Sequence, residues 1–119
     1  MTADEIEDRL IDFAVRVIKL ADALPDLPSG KHIGRQLLRS GTSPAPNYAE
    51  ARGAESPADF VHKLKIAMKE LNESKVWLKM VCRAELMASS RITDLIDENQ
   101  QLCRIVNASI STSKRNNKK

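Results

Sequence analysis

The sequence predicts an all-α domain, folded as an antiparallel up-down-up-down four-helix bundle. Hydrophobic residues make up 42% of the 119 residues but aromatic residues only 3%, so the core must be built from aliphatic side chains, which pack well between helices. All five prolines lie between Pro25 and Pro57, and this leaves a long uninterrupted segment on either side. A sheet would need more frequent turns. A chain of this length forms one domain with one core.

The first helix is predicted from Ala3 to Leu24. Thr2 is the expected N-cap, and Glu5, three residues later, completes a capping box. Pro25 and Pro28 end the helix because proline cannot donate a backbone hydrogen bond. Apolar residues recur along the segment at steps of three and four, as on the packed face of a helix. They are Ile6, Leu10, Phe13, Val17, Leu20 and Leu24.

The second helix is predicted from Ser29 to Arg52, with Ile33 and Leu37 facing the core. Pro44 and Pro46 interrupt its middle, where a missing donor and a ring clash either bend the axis or divide the helix. Small and hydroxylated residues precede them and can satisfy the freed backbone groups. We therefore favour a kinked continuous helix over a loop.

The third helix is predicted from Pro57 to Ala88, with Ser56 as its N-cap and Pro57 in its first turn. A heptad-like stripe runs along most of its length. It consists of Phe60, Leu64, Ala67, Leu71, Ser74, Leu78 and Val81.

The fourth helix is predicted to follow Ser89 and Ser90 and to fade near Ile110. Its apolar residues are Ile92, Leu95, Ile96, Leu102, Cys103 and Val106. The sequence thus divides into a bundle over residues 1–110 and a polar, basic, disordered tail over residues 111–119. Short connections between helices of similar length favour antiparallel neighbours.

The formal net charge of +3 comes from the tail. Lys114, Arg115, Lys118 and Lys119 supply four positive charges, so the rest of the chain is nearly neutral. Any basic surface on the bundle must therefore arise from how its charges are distributed.

Two helices carry basic residues at helical spacing. On the second helix they are Lys31, Arg35 and Arg39, and on the third they are Lys65, Lys69, Lys79 and Arg83. Such stripes can bind the phosphates of RNA or DNA without reading sequence, as can Lys114 and Arg115 in the tail. A solvated charged face is the simpler alternative.

Three apolar residues of the third helix are predicted to point away from its core stripe. With Leu64 at zero and about 100° per residue, Ile66, Trp77 and Met80 fall between about 160° and 220°. Exposed apolar patches usually meet a partner, so these residues predict an interface between copies. Burial of the patch under the C-terminal tail is the alternative.

Glu50 and Lys75 are the charged residues expected to be half-buried. Lys75 falls beside the core stripe of the third helix, and burial requires a counter-charge, from Glu50 or Glu85. A structural salt bridge explains the pair better than an acid or base, because no nucleophile accompanies it. The sequence predicts no enzyme.

No cofactor or metal is expected. His32 and His62 lack the Glu-x-x-His spacing of di-iron bundles, and Cys82 and Cys103 lack metal-ligand spacing and are expected to be buried thiols. Neither a signal peptide nor a run of about 18 apolar residues is present, so a cytoplasmic protein without membrane contact is expected.

The run from Arg35 to Met80 resembles the bacterial four-helix-bundle proteins named for the intervening sequences of 23S ribosomal RNA genes. Residues 43–50, Ser-Pro-Ala-Pro-Asn-Tyr-Ala-Glu, resemble the family motif Ser-x-Pro-Ala-Asn-x-Ala-Glu and place Ser43, Pro44, Asn47 and Glu50 in it. Pro46 occupies a position that relatives fill differently, and Ala51 stands where many have Gly. These departures indicate a subfamily.

The resemblance implies a four-helix bundle that assembles as a ring of five subunits. Related proteins include accessory subunits of diversity-generating retroelements, which are basic pentameric barrels that contact a reverse transcriptase and nucleic acid. Two functional hypotheses follow. One is a non-enzymatic homo-oligomer that binds RNA or DNA through its basic helix faces, and the other is an oligomeric scaffold that recruits another protein.

Overall fold

The computed structural model describes residues 1–117, which form five helices. They are α1 (Ala3–Ala23), α2 (Pro28–Thr42), α3 (Pro44–Arg52), α4 (Pro57–Arg83) and α5 (Ser90–Asn117). Because α2 and α3 are two parts of one bent rod, the five helices form four rods. The fold is therefore the predicted all-α four-helix bundle, about 52 Å long and 20 Å across.

The start of α1 is capped as the sequence predicts. The Glu5 N–H donates to Thr2 Oγ1 at 3.1 Å, and the Thr2 N–H donates to Glu5 Oε1 at 3.2 Å. This reciprocal capping box satisfies backbone donors that the first turn leaves free. The predicted core face of α1 is buried, with only Leu24 partly exposed.

The turn between α1 and α2 depends on Gly30. A Cβ atom at this position would lie 2.1 Å from the backbone oxygen of Pro25, closer than any real contact. Glycine therefore lets the first turn of α2 pass against the connection that follows α1. Pro28 occupies the first turn of α2, where its missing N–H costs nothing.

The predicted kink in the second rod is confirmed and lies at Ser43. Pro44 begins α3, so its absent N–H breaks the helical hydrogen-bond ladder at this point. Asn47 holds the bend because its Nδ2 donates to the backbone oxygen and to the Oγ of Ser43, each at 3.0 Å. Three of the motif residues thus have a structural role in the bend.

Helix α4 begins at Pro57, as predicted, but ends at Arg83 rather than near Ala88. Glu85 adopts a left-handed backbone with φ of 56°. The Leu86 N–H then donates to the Val81 oxygen, and the Glu85 N–H donates to the Cys82 oxygen, each at 3.1 Å. This is a Schellman motif, and the usual signal for it, a glycine at the left-handed position, is missing from the sequence.

Helix α5 extends to Asn117, beyond its predicted end near Ile110. The prediction of a disordered segment is therefore wrong for residues 111–117; Lys118 and Lys119 lie outside the described residues. Residues 111–117 contain neither glycine nor proline, and Lys114 and Arg115 lie in the last turn, where cations interact favourably with the helix dipole.

The four rods pack in a closed cycle. Helix α1 packs against α2, α3 and α5, and α4 packs against the same three helices. Within residues 1–117, α1 and α4 do not pack against each other, so they occupy diagonal corners of the bundle. Their outward faces therefore lie on different sides of the bundle.

The core is mainly aliphatic, as predicted, with Phe13 and Tyr48 as its buried aromatic residues, and its few buried polar groups are paired. Ser74 Oγ lies 2.9 Å from Ser40 Oγ, and Asn99 Nδ2 donates to the Leu71 oxygen at 2.9 Å. Among the described residues, every buried side-chain nitrogen or oxygen has a hydrogen-bond partner. Such paired groups cost little to bury and fix the alignment of neighbouring helices.

Candidate interaction surfaces

The outward face of α4 carries a stripe of exposed residues spaced alternately four and three apart. We call this the α4 stripe, and it comprises Lys65, Lys69, Asn72, Val76, Lys79 and Arg83. Met80 lies beside it and is 45% exposed, while Val76 is 49% exposed. Within residues 1–117, none of the four cations forms an ion pair. The stripe thus combines uncompensated positive charge with exposed apolar surface.

The basic residues of α2 have a different environment. Arg39 donates to Glu70 Oε2 at 3.2 Å and also bonds Glu73, so its charge is compensated by α4. Lys31 lies 3.1 Å from Asp26. Arg35 is exposed at the edge of the α1–α2 turn. The structure therefore does not gather the predicted basic residues of α2 and α4 on one face.

The three apolar residues predicted to form an interface differ in their exposure, because α2 packs over one side of α4. Trp77 is half-buried and packs against the core, its ring meeting that of His32 edge-on at 5.8 Å between centroids. Its Nε1 donates to Glu73 Oε2 at 3.0 Å. Ile66 is half-buried, and only Met80 is well exposed. A helical wheel shows only that Trp77 lies away from the core stripe of α4. It does not show that α2 covers the side of α4 that carries Trp77.

The predicted salt bridge of Lys75 with Glu50 is wrong, and within residues 1–117 Lys75 forms no ion pair with Glu85, the other expected partner. Glu50 is exposed, and its Oε1 lies 3.7 Å from Lys63 Nζ. Lys75 is half-buried near Cys103 on the side of α4 that faces α5, whereas Glu50 projects from α3 on the other side. The two residues therefore lie on opposite flanks of α4.

Helix α1 carries a second exposed stripe, which the sequence analysis did not identify. Ile11, Val15 and Ile18 are 44%, 41% and 39% exposed. An exposed aspartate lies at each end of this apolar run, again spaced three or four residues from it. We call the set the α1 stripe, and it comprises Asp8, Ile11, Val15, Ile18 and Asp22. Its heptad spacing, offset from the core face, is the sequence signal that could have revealed it.

One end of the bundle has an open groove with a volume of about 730 Å³. Its apolar lining comes from Met1, Ile6, Phe60 and Ile105, and its polar lining from the last turns of α5. Lys114 and Arg115 are exposed in these last turns. Among the described residues that line the groove, there is no cluster of ionisable side chains.

The described residues contain no arrangement with the features of a catalytic or metal site. Cys82 and Cys103 are free thiols, and burial raises the pKa of Cys103, which makes it less reactive. Across residues 1–117, no three potential metal-ligating side chains come together. None of the helices in this range is long and apolar enough to cross a membrane.

The 23S rRNA-intervening sequence protein family matches residues 4–108 of the chain. The fold matches a crystal structure at 1.70 Å resolution of a protein of unknown function, from the S23 ribosomal protein family of Bacteroides thetaiotaomicron VPI-5482. The two structures superimpose with a TM-score of 0.84 and share 31% sequence identity, over 93% of this chain and 99% of the other. No curated protein matches the chain. The family match and the structural match together place the chain in the 23S rRNA-intervening sequence protein family.

Proposed function

We propose that this protein is a non-enzymatic scaffold whose copies assemble into a homo-oligomer. The observation that carries the proposal is the exposure of five aliphatic side chains on the outward faces of α1 and α4. They are Ile11, Val15, Ile18, Val76 and Met80. Aligned apolar side chains at heptad spacing are the pattern by which helices associate, and burial of each one stabilises the assembly.

The resemblance to pentameric relatives supports the same proposal and adds a size, a ring of five subunits. The absence of enzymatic activity is part of the proposal. It is supported by the described residues, in which every buried polar side-chain atom is paired and no three potential metal-ligating side chains come together.

The mass of the protein in solution tests self-assembly. Light scattering should give a multiple of the 13.3 kDa chain mass, near five times that value for a ring of five. A variant carrying Ile11→Ser, Val15→Ser and Ile18→Ser should give a lower mass with unchanged helical content, since these side chains lie outside the core. The matched control is Asp12→Ser with Lys19→Ser, at exposed polar positions of α1. A wild-type mass of 13.3 kDa would overturn the proposal.

A second candidate function is binding of the phosphate backbone of RNA or DNA. It is favoured by the four cations of the α4 stripe, which have no acidic partner in the described part of the chain. Phosphate contacts of this kind release counterions, so affinity falls steeply as salt rises. Lys114 and Arg115 would extend such a surface along α5.

Fluorescence anisotropy with a structured RNA across a salt series tests the second candidate. Lys65→Gln with Lys69→Gln should weaken binding and reduce the salt dependence by about one unit of slope for each phosphate that the variant no longer binds. Lys31→Gln is the matched control, because Lys31 already pairs with Asp26. Equal affinity of the wild type and the double variant would exclude the α4 stripe as the binding surface.

A further inference from the structure

We infer that the partner of the α1 stripe is the α4 stripe of a second copy of this chain, so that copies associate head to tail. The inference rests on the proposed self-assembly and specifies which surfaces meet. It follows from the position, the charge and the axial alignment of the two stripes.

The positions of the stripes allow a head-to-tail contact. Helices α1 and α4 occupy diagonal corners of the bundle, so their outward faces lie on different sides of it. One copy can therefore offer its α1 stripe to a neighbour on one side and its α4 stripe to a neighbour on the other. A contact between different surfaces of identical copies generates a ring or an open filament.

The charges of the stripes are complementary. The α1 stripe has an aspartate at each end of an apolar centre, and the α4 stripe has basic residues around Val76. An antiparallel contact of two α1 stripes would bring Asp8 close to Asp22 of the other copy, and a contact of two α4 stripes would bring cations together. Like charges at an interface disfavour both symmetric pairings.

The stripes also match in height along the bundle. Ser40 bonds Ser74, and the adjacent Gly41 packs on Val17, so Val17 of α1 and Ser74 of α4 lie at about the same level. Asp8 precedes Val17 by nine residues, as Lys65 precedes Ser74. Asp8 and Lys65 are therefore about level, since both helices run in the same direction and rise about 1.5 Å per residue.

The same counting applies at the other end of the stripes. Asp22 follows Val17 by five residues, as Lys79 follows Ser74, and Ile18 lies within about two residues of the level of Val76. Rotation of one copy onto the next about an axis parallel to the bundle leaves the height of each residue unchanged. It would therefore place each aspartate of one copy opposite a lysine of the next, with the apolar side chains between them.

The bundle is large enough for such an interface. A face of about 52 by 20 Å offers the area of a standard protein interface, roughly 800 Å² on each partner. The apolar centre of each stripe would be covered by that contact, with the charged pairs at its ends. This arrangement explains why Val76 and Met80 are exposed among lysines, which phosphate binding alone does not.

Charge reversal tests the pairing through the mass in solution. The α1 reversal is Asp8→Lys with Asp22→Lys, and the α4 reversal is Lys65→Glu with Lys79→Glu. Each should lower the mass to the 13.3 kDa of one chain, because it places like charges at both ends of the contact. The chain that carries both reversals should recover the wild-type mass. Circular dichroism checks that each variant keeps its helical content.

The matched control is Asp12→Lys with Lys19→Glu, which changes charges on α1 outside the stripe and should leave the mass unchanged. If the wild type assembles and either reversal leaves the mass unchanged, the pairing is overturned while self-assembly stands. The pairing is also overturned if the combined chain stays monomeric with full helical content, or if the α4 reversal abolishes RNA binding without affecting mass. A monomeric wild type would overturn self-assembly itself.

Discussion

Gly41 determines how closely α1 and α2 approach each other. A Cβ atom at this position would lie 2.6 Å from Val17 Cγ1 and 2.9 Å from Val17 Cγ2. Val17 is fully buried, and a β-branched side chain has few alternative rotamers in a helix, so it cannot move aside easily. The close approach of α1 and α2 therefore depends on the absence of a side chain at Gly41.

We expect Gly41→Ala to destabilise the bundle by about 1–3 kcal/mol, the usual cost of overpacking a core. Gly34→Ala is the matched control, since its Cβ would meet the Ala21 oxygen at 3.6 Å, an ordinary contact. It should stabilise α2 by up to about 1 kcal/mol through the higher helix propensity of alanine. Urea denaturation of both variants measures the difference, and equal effects would contradict this account of the α1–α2 contact.

Trp77 and Met80 are three residues apart on α4 but differ in their environment. Trp77→Glu should lower the free energy of unfolding by about 2 kcal/mol, because the indole packs on the core and binds Glu73. Met80→Glu should change it by no more than about 0.5 kcal/mol, since that side chain is exposed. Thermal denaturation distinguishes them, and a neutral Trp77→Glu would mean that the indole is not part of the core packing.

At the scale of the helices, the ends are determined by specific caps. The end of α4 illustrates what the sequence could not reveal, because Glu85 adopts a left-handed conformation that usually belongs to glycine. By contrast, Thr2 with Glu5 and Ser56 with Pro57 carry recognisable capping signals, and both starts were predicted to the residue. Local signals therefore located the helix starts better than the helix ends.

Replacement of Glu85 by glycine should stabilise the protein by up to about 1 kcal/mol, because glycine adopts positive φ without a steric cost. Ala84→Gly is the matched control. Ala84 has φ of −81°, so glycine there should only add flexibility to the unfolded chain and destabilise. Chemical denaturation gives both values, and a loss of stability in Glu85→Gly would contradict the role assigned to this turn.

The N-terminal capping box predicts a pH effect. The hydrogen bond from the Thr2 backbone N–H holds the pKa of the Glu5 carboxyl below its ordinary value. A pKa that is lower in the folded state than in the unfolded state stabilises the fold above the unfolded pKa. This contribution is lost as the pH falls through the folded pKa. Helix α1 should therefore fray at its start under acidic conditions.

Thr2→Pro tests this effect, since proline suits the Thr2 φ of −80° but has neither the N–H nor the hydroxyl. The pKa of Glu5, followed by NMR titration of its side chain, should rise relative to the wild type. Thr93→Ala, at an exposed position of α5 at the opposite end of the bundle, should leave it unchanged. An unaltered Glu5 titration in Thr2→Pro would show that the capping box does not cause the shift.

At the scale of the whole molecule, periodicity predicted the core but not the arrangement of the rods. The stripe from Leu64 to Val81 is buried as expected, because each helix encodes its own packed face. Which flank of α4 meets α2 and which meets α5 depends on contacts between distant segments. From periodicity alone, Trp77 is therefore assigned to an exterior face, and Lys75 is paired with Glu50 or Glu85.

The α1 stripe was missed for a related reason. Ile11, Val15 and Ile18 lie among core residues in the sequence, and an apolar residue in an amphipathic helix is normally assigned to the core. Their spacing sets them apart from the core face of α1, but only the four-rod packing shows that no other helix covers them and that they lie diagonally opposite the α4 stripe. The complementary pair of stripes is a property of the folded chain, and the proposed assembly depends on it.

A disulfide between copies tests this assembly most directly. In a background with Cys82→Ser and Cys103→Ala, one variant carries Ile18→Cys and the other Val76→Cys. We predict that mild oxidation of the mixture yields a species of twice the 13.3 kDa chain mass, and that neither variant alone does so. Crosslinking of either variant with itself, or no crosslinking in the mixture, would contradict the head-to-tail contact between α1 and α4.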